Sequence, residues 1–290
     1  MLRKLFAQYA MEYLMTYGWA ILIMVVVLAG LLQMGVLNSY TFTPKAQTGS
    51  CSIYRPYGAH NSNLAVKKGV CTNEIPQYVA YFNGATSSLT GNFASTTGPV
   101  TINMWISESS GPTNYNQYYL VWGNMNTHSG FTLRDSWPRT AFACISSITN
   151  TAWGQFFAGY PQGKPNVWYM ATAEYDTNAQ TINLYLNGVL QSTTPITGTF
   201  SPLAGVFTIH NSTYAVDLIS NVQFYNTTLS ANDIKNLYYE GIGGAPIQLN
   251  HIVGWWPLNN DVNDYSGNNY AGTPSNVIFT STWTNGYTIP

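Results

Sequence analysis

The chain has 290 residues, of which only 7% are charged, and its formal net charge is −1. An ordinary soluble domain is about a quarter charged. The 10 Lys and Arg gather nowhere beyond the pairs Arg3-Lys4 and Lys67-Lys68, which excludes nucleic acid as a partner because phosphate binding needs a concentrated basic surface. Asn, Thr, Ser, Gly and Tyr take the place of charge. Such a neutral polar surface suits the outside of a cell and implies near-constant stability from about pH 3 to 7.

The first element is an apolar run. Gly18 to Leu37 carries no charged residue, and about twenty such residues are what a helix needs to cross the hydrocarbon core of a bilayer. No charge occurs between Glu12 and Lys45, while Arg3 and Lys4 precede the run, so the positive-inside bias leaves the N-terminus in the cytoplasm and the rest outside. The run is too long for the core of a secretory signal, and no small-x-small site closes it cleanly, so an uncleaved anchor is expected. Gly18, Ala20, Ala29, Gly30 and Gly35 would let helices approach closely.

Arg3-Lys4-Leu5-Phe6-Ala7, followed by Gln8-Tyr9-Ala10-Met11-Glu12-Tyr13-Leu14, resembles the processing site and head of archaeal type IV prepilins with a class III signal peptide. That resemblance implies residues 1–7 as a leader, removed after Ala7 by a prepilin peptidase on the cytoplasmic side. Residues 8–37 would remain as a membrane-resident, pilin-like helix beginning at Gln8. Ala7 departs from the more usual glycine. Glu12 would then be the fifth residue, and pairing with the free α-amino group of a neighbouring subunit would offset the several kcal/mol (about 2.5 to 3.5 on insertion scales) that a lone charge costs near lipid. The alternative is that Glu12 lies among headgroups beside Arg3 and Lys4.

Residues 38–77 lack periodicity and read as a linker with a stapled subregion. Cys51, Cys71 and Cys144 are an odd set for an oxidising compartment. Cys51 with Cys71 is the expected disulfide, because a small irregular loop benefits most from it. Cys144, in the apolar run Ala141 to Ile145, reads as a buried free thiol.

From Tyr78 the pattern changes to short strands between turn residues, which implies an antiparallel β-sandwich. Tyr78 to Phe82 and Val100 to Ile106 are strands. Trp168 to Tyr175 and Thr181 to Leu186 form a hairpin about the polar turn 176–180, and Asn187-Gly188 makes a second turn. Asn221 to Tyr225 is a further strand. Ser230 to Tyr238 is a short helix with Ser230 as N-cap, Asp233 in the capping-box position and Gly241 at its close. These pieces in this order resemble the laminin G-like branch of the concanavalin A-like jelly rolls over about residues 78–243. The resemblance implies a domain that binds glycans or proteins more often than it cleaves anything. The whole chain is therefore expected to be mainly β, a long N-terminal hydrophobic α-helix followed by a jelly roll at 78–290.

The C-terminal segment departs from that family's order. Gly254-Trp255-Trp256-Pro257-Leu258 and Asp261 to Asn268 resemble the segment that normally opens such a domain. Residues 251–290 would either close their own domain by permutation or add a strand to the edge of a neighbouring subunit.

Few residues promise chemistry. Glu174 with Asp176 is the nearest approach to a glycosidase carboxylate pair, and it runs into a turn. The four histidines are scattered, without metal-ligand spacing. No catalytic residues and no cofactor are expected. Asp261, Asn263, Asp264 and Ser266 offer oxygen ligands for calcium, and Asx-turns explain them equally. Asn211-Ser212-Thr213 and Asn226-Thr227-Thr228 are glycosylation acceptors. Trp122, Trp137, Trp153 and Tyr160 fall in loop-like regions and are the candidates to stack on sugars, against a background in which most of the 9 Trp and 22 Tyr must be core. The partners implied are the membrane, copies of this chain in a filament, and surface glycans or proteins.

Overall fold

The computed structural model describes residues 15, 17–29, 52–54, 66–68, 75–93, 98–108, 117–124, 129–136, 141–147, 156–160, 164–196, 205–210 and 216–290. The chain divides into two compact units, 1–46 and 47–290.

In the first unit, helix α1 is described over 17–29, which is 13 residues. At 1.5 Å per residue it is about 20 Å long. Among the described residues no helix is long and apolar enough to cross a membrane. Apart from Met15, the remainder of the expected 8–37 helix lies outside the described residues, as do Ala7, Gln8 and Glu12. Every described residue of α1 is exposed, its large side chains from Leu28 at 44% to Trp19 at 64%. A helix that is apolar all round has no polar stripe to turn to water.

In the second unit, β1 (Ser52–Tyr54) and β2 (Val66–Lys68) form an antiparallel ribbon with Ser52 opposite Lys68. Cys51 and Cys71, and with them the expected disulfide, lie outside the described residues. The sandwich begins with β3 (Val79–Phe82), β4 (Ser88–Asn92), β5 (Val100–Glu108), β6 (Gln117–Asn124) and β7 (Ser129–Ser136). It continues with β8 (Ala141–Ser147), β9 (Phe156–Tyr160), β10 (Tyr169–Asp176), β11 (Thr181–Leu186), β12 (Val189–Pro195), β13 (Val206–Ile209) and β14 (Asp217–Tyr225). After helix α2 (Ala231–Glu240) come β15 (Ile252–Trp256), β16 (Thr273–Ser275) and β17 (Ile278–Thr280). One sheet runs β12-β11-β10-β5-β14-β3-β17, with β15 also paired to β14; the other runs β16-β4-β13-β6-β7-β8-β9. Every paired strand is antiparallel to its neighbour.

Local sequence explains most of these elements. Asp176 accepts the backbone N–H groups of Asn178 and Ala179 and so closes the β10–β11 turn. Asn187 and Gly188 both have positive φ, 51° and 78°, as a two-residue hairpin turn of type I′ requires. Helix α2 starts where expected, with Ser230 and Asp233 exchanging their capping-box bonds, and Gly241 ends it at φ 80°. Its apolar face is Ile234 and Leu237.

The inner core lies between the sheets. Val100, Ile102, Met104 and Ile106 of β5 point into it by simple alternation, and Phe93, Phe207, Phe224 and Trp256 meet there with ring centroids 4.5 to 5.7 Å apart. Strand β14 reaches the same core with Ile219 and Val222, three residues apart. A bulge reconciles this spacing with a period of two: the register with β5 shifts between Ser220 and Gln223, and Asn221 has φ 51°.

A second core covers the outer face of the first sheet. Trp105, Met170, Tyr185 and Tyr225 meet α2, Leu229, Ile242, Trp255 and Trp283. Strand β5 is thus buried on both faces. The polar residues that alternation places on that outer face are satisfied there. Thr172 Oγ1 donates to Asn103 Oδ1 at 2.6 Å, and Asn221 Oδ1 accepts from both Trp255 Nε1 at 2.7 Å and Gln223 Nε2 at 3.0 Å. At one end of the sandwich His210 and Asp217, both fully buried, approach to 3.3 Å, and His210 Nδ1 lies 3.0 Å from the Ser87 carbonyl oxygen.

Residues 251–290 pair within their own chain. Strand β15 lies against β14 with Val222 opposite Trp256, β16 against β4 with Thr273 opposite Thr90, and β17 against β3 with Ile278 opposite Tyr81. The segment therefore supplies edges to both sheets.

Glu174 is 2% exposed on the outer face of β10. Burial holds its carboxyl above the usual 4.5, against the lowering effect of hydrogen bonds from Leu229 N–H, Asn183, Tyr185 and Thr101. A carboxyl raised by folding binds its proton more tightly in the folded chain than in the unfolded one. Its contribution to stability is complete below about pH 4.5 and is lost as pH rises through the folded value. The urea midpoint should therefore step down with rising pH in that window, an exception to the pH insensitivity expected from composition. Glu174→Gln should remove the step; a step that persists in this variant would assign it to another group.

Candidate functional site

The outer face of the second sheet carries an open groove of about 380 Å³, within the roughly 300 to 1,000 Å³ range of small-molecule sites. It is lined by Thr90, Gly91, Asn92, Val206, Asn269, Tyr270, Ala271 and Thr273. Its floor follows from strand alternation. Leu89 of β4 and Phe207 and Ile209 of β13 point into the core, so Thr90, Asn92, Val206 and Thr208 must point outward. Cross-strand register aligns them: Thr273 lies opposite Thr90, Thr90 opposite Thr208, and Val206 opposite Asn92. Gly91 is an inward position without a side chain, and the Phe207 ring fills the space that its Cβ would take.

The wall is the loop before β16, and Asp264 holds it. Asp264 Oδ1 accepts Trp255 N–H at 3.0 Å and Ser266 N–H at 2.8 Å; Oδ2 accepts Ser266 Oγ–H at 2.8 Å and Tyr270 N–H at 2.9 Å. One carboxylate thus ties β15 to the backbone of Tyr270. The Tyr270 ring meets Phe93 edge-on, centroids 5.3 Å apart and planes at 89°, and Asn269 beside it adopts φ 62°. Among the described residues the lining contains hydroxyls, amides, one phenol and no charged side chain. It can exchange hydrogen bonds in both directions and offer an aromatic face, and it has no carboxylate with which to attack a glycosidic bond.

Asp261, Asn263 and Asp264 belong to one hydrogen-bonded segment. Asp261 accepts Asn263 N–H and Tyr265 Oη–H at 3.1 and 2.8 Å, so both aspartates have each oxygen engaged by N–H or O–H donors. The bonds from Asn263 N–H to Asp261 and from Ser266 N–H to Asp264 are those of Asx turns, one of the two readings of this segment. No group of three or more His, Cys, Asp or Glu that could hold a metal occurs among the described residues.

The other expected contacts fall elsewhere. Trp122 is corrected: it stands at an inward position of β6, opposite Phe207 and Phe131, and is 4% exposed in the inner core. Strand alternation, which the loop-like sequence around it conceals, puts its ring out of reach of a ligand. Trp137, Trp153 and Asn211 lie outside the described residues; Tyr160 and Cys144 are placed only as backbone positions at the end of β9 and within β8. Asn226 is exposed after β14. Glu174 and Asp176 do not form a catalytic pair, since one is buried beneath Leu229 and the other closes a turn. Sequence reading did not find Thr90, Asn92, Val206, Tyr270 or Thr273. The alternation in Ser88 to Asn92 could have marked two outward residues, but nothing local says that residues 269–273 come to lie beside them.

Comparison with known proteins follows from this architecture. A family model described as the concanavalin A-like lectin/glucanases superfamily matches residues 82–235, more than half of the chain. No curated protein matches it. Among solved structures, the binding domain of botulinum neurotoxin serotype D is 16% identical, covering 55% of this chain and 41% of the neurotoxin chain at a TM-score of 0.46. The binding domain of botulinum neurotoxin DC, solved in complex with SialylT, is 13% identical, covering 53% and 42% at 0.42. The chain spans less than half the length of either, and a likeness this distant carries no statement about ligand.

Asp264→Ala should lower the unfolding free energy by about 3 kcal/mol, as the loss of several charge-assisted hydrogen bonds implies. It should also speed amide exchange at Tyr270, with no effect of a calcium chelator on the wild-type midpoint. A change below about 0.5 kcal/mol would mean that the loop is held by other contacts.

Proposed function

The chain belongs to the concanavalin A-like lectin/glucanases superfamily, and from that premise we propose that its jelly roll is a carbohydrate-binding module that holds neutral sugar without cleaving it. The observation that carries this reading is the chemistry of the groove: outward Thr90, Asn92 and Thr273, with Tyr270 on the wall and no charged group among the described lining residues. Sugar hydroxyls both donate and accept, as these side chains do, and the C–H face of a pyranose ring stacks on an aromatic one.

Presentation is the second part of the proposal. The uncharged run Gly18 to Leu37 and the wholly apolar, exposed surface of α1 favour residence in lipid or in a protein core. With the prepilin-like residues Ala7, Gln8 and Glu12, this supports a pilin-like subunit. A prepilin peptidase trims it, its helices assemble in a filament core, and its jelly roll faces outward for adhesion to surface glycans. The rival is a monomeric membrane-anchored binding protein, for which the apolar run alone suffices. A mature chain beginning at Gln8 favours the first, and an intact Met1 the second.

A glycan array probed with the full chain in detergent, followed by calorimetry, tests the binding reading. At least one neutral oligosaccharide should bind. Tyr270→Ala should weaken it by about tenfold or more, equivalent to roughly 1.4 kcal/mol, while the chain stays folded at the assay temperature despite the lost packing on Phe93. Binding to no sugar, or undiminished binding by the variant, would remove the groove from the account.

A further inference from the structure

Asn226 stands at the end of β14 in the sequence Asn226-Thr227-Thr228, and its side chain is exposed. The turn that carries it is firmly tied. Asn226 N–H donates to the His251 carbonyl at 3.0 Å, and Thr101 Oγ1 donates to the Thr227 carbonyl at 2.8 Å. The side-chain amide is oriented as well, because His251 Nδ1 lies 3.2 Å from Asn226 Oδ1. With the carbonyl end held on that side, Nδ2 is left without an acceptor among the described residues, at the surface. The Thr228 hydroxyl, the group that a glycosylation acceptor must present two residues on, makes no hydrogen bond to a described residue either.

We propose that Asn226 is an N-glycosylation site of the mature protein, modified on Nδ2 by an oligosaccharide supplied on a polyprenyl phosphate or diphosphate. The amide nitrogen attacks the anomeric carbon. An N–C bond forms as the C–O bond to phosphate breaks, the lipid phosphate departs with the bonding electron pair, and the amide loses one of its two protons. Nothing is oxidised or reduced. The product keeps its Oδ1 and one N–H, so the His251 contact survives, and the glycan leaves the turn away from β15. Neither acceptor atom belongs to the groove, whose lining comes from β4, β13, β16 and residues 269–271. The modification therefore adds bulk and solubility without occupying the binding surface.

This inference rests on the proposed outside location of the domain, so the experiment reads location and modification separately. The chain is purified from its own cells after labelling of intact cells with a membrane-impermeant amine reagent. It is then digested with chymotrypsin, which cleaves after Tyr225 and Leu229, and analysed by mass spectrometry. The expected result is surface labelling together with a glycan mass on the peptide Asn226 to Leu229 in most molecules. That mass should be absent in Thr228→Val and retained in Thr228→Ser. A surface-labelled chain with unmodified Asn226 overturns the modification alone; a chain that takes no label and carries no glycan overturns both it and the outside location.

Discussion

Two-sided burial of the sheet containing β5 and β14 is the constraint on which the rest of the domain depends. A sandwich with one wetted face needs only alternating apolar residues. Here the outer face is also covered, and it carries Thr101, Asn103, Glu174, Asn221 and Gln223, whose polar groups must find partners because water cannot reach them. They find them in one another and in the chain that follows β14. Asn221 is bonded to the Gly244 carbonyl and the Trp255 indole, and Glu174 to the Leu229 amide. These bonds fix how residues 226–256 lie across the sheet. Once β15 is set beside β14, the remaining chain runs on to the open edges of both sheets.

The groove is a consequence of that course. Its floor belongs to β4 and β13, which any sandwich of this kind could supply, but its wall comes from residues 269–273. Asp264 links the two events by bonding Trp255 on β15 and Tyr270 on the wall with the same carboxylate. Closure of the domain and construction of the proposed sugar site are thus one structural act. The low charge of the chain has the same logic. Uncharged hydroxyls and amides can be buried against each other on the outer face of one sheet and exposed to a ligand on the other, without the desolvation penalty of ions.

How much of this could be read from sequence depended on whether the signal was local. The β10–β11 hairpin and α2 were legible because turn residues and a capping box mark them within a few positions. The Asx turns at Asp261 and Asp264 were legible as one of two alternatives. Register was harder: the bulge at Asn221 reverses the alternation in β14, and no composition rule announces it. Trp122 was misread because the turn-forming Gly123 and Asn124 that follow it suggest a loop, whereas its pairing with Phe207 and Phe131 places it in the core. The destination of Thr273 and Tyr270 was invisible, since strands as short as Thr273–Ser275, with a proline at the centre, carry no periodicity of their own.

Hydrogen–deuterium exchange of the full chain, with and without a saturating neutral oligosaccharide, tests most directly whether the C-terminal segment and the sheet floor form one binding surface. Protection should appear together in Thr90 to Asn92 and in Asn269 to Thr273, with the β10–β11 hairpin and α2 unchanged. Protection confined to other loops of the sandwich, or seen on only one side of the groove, would contradict the account.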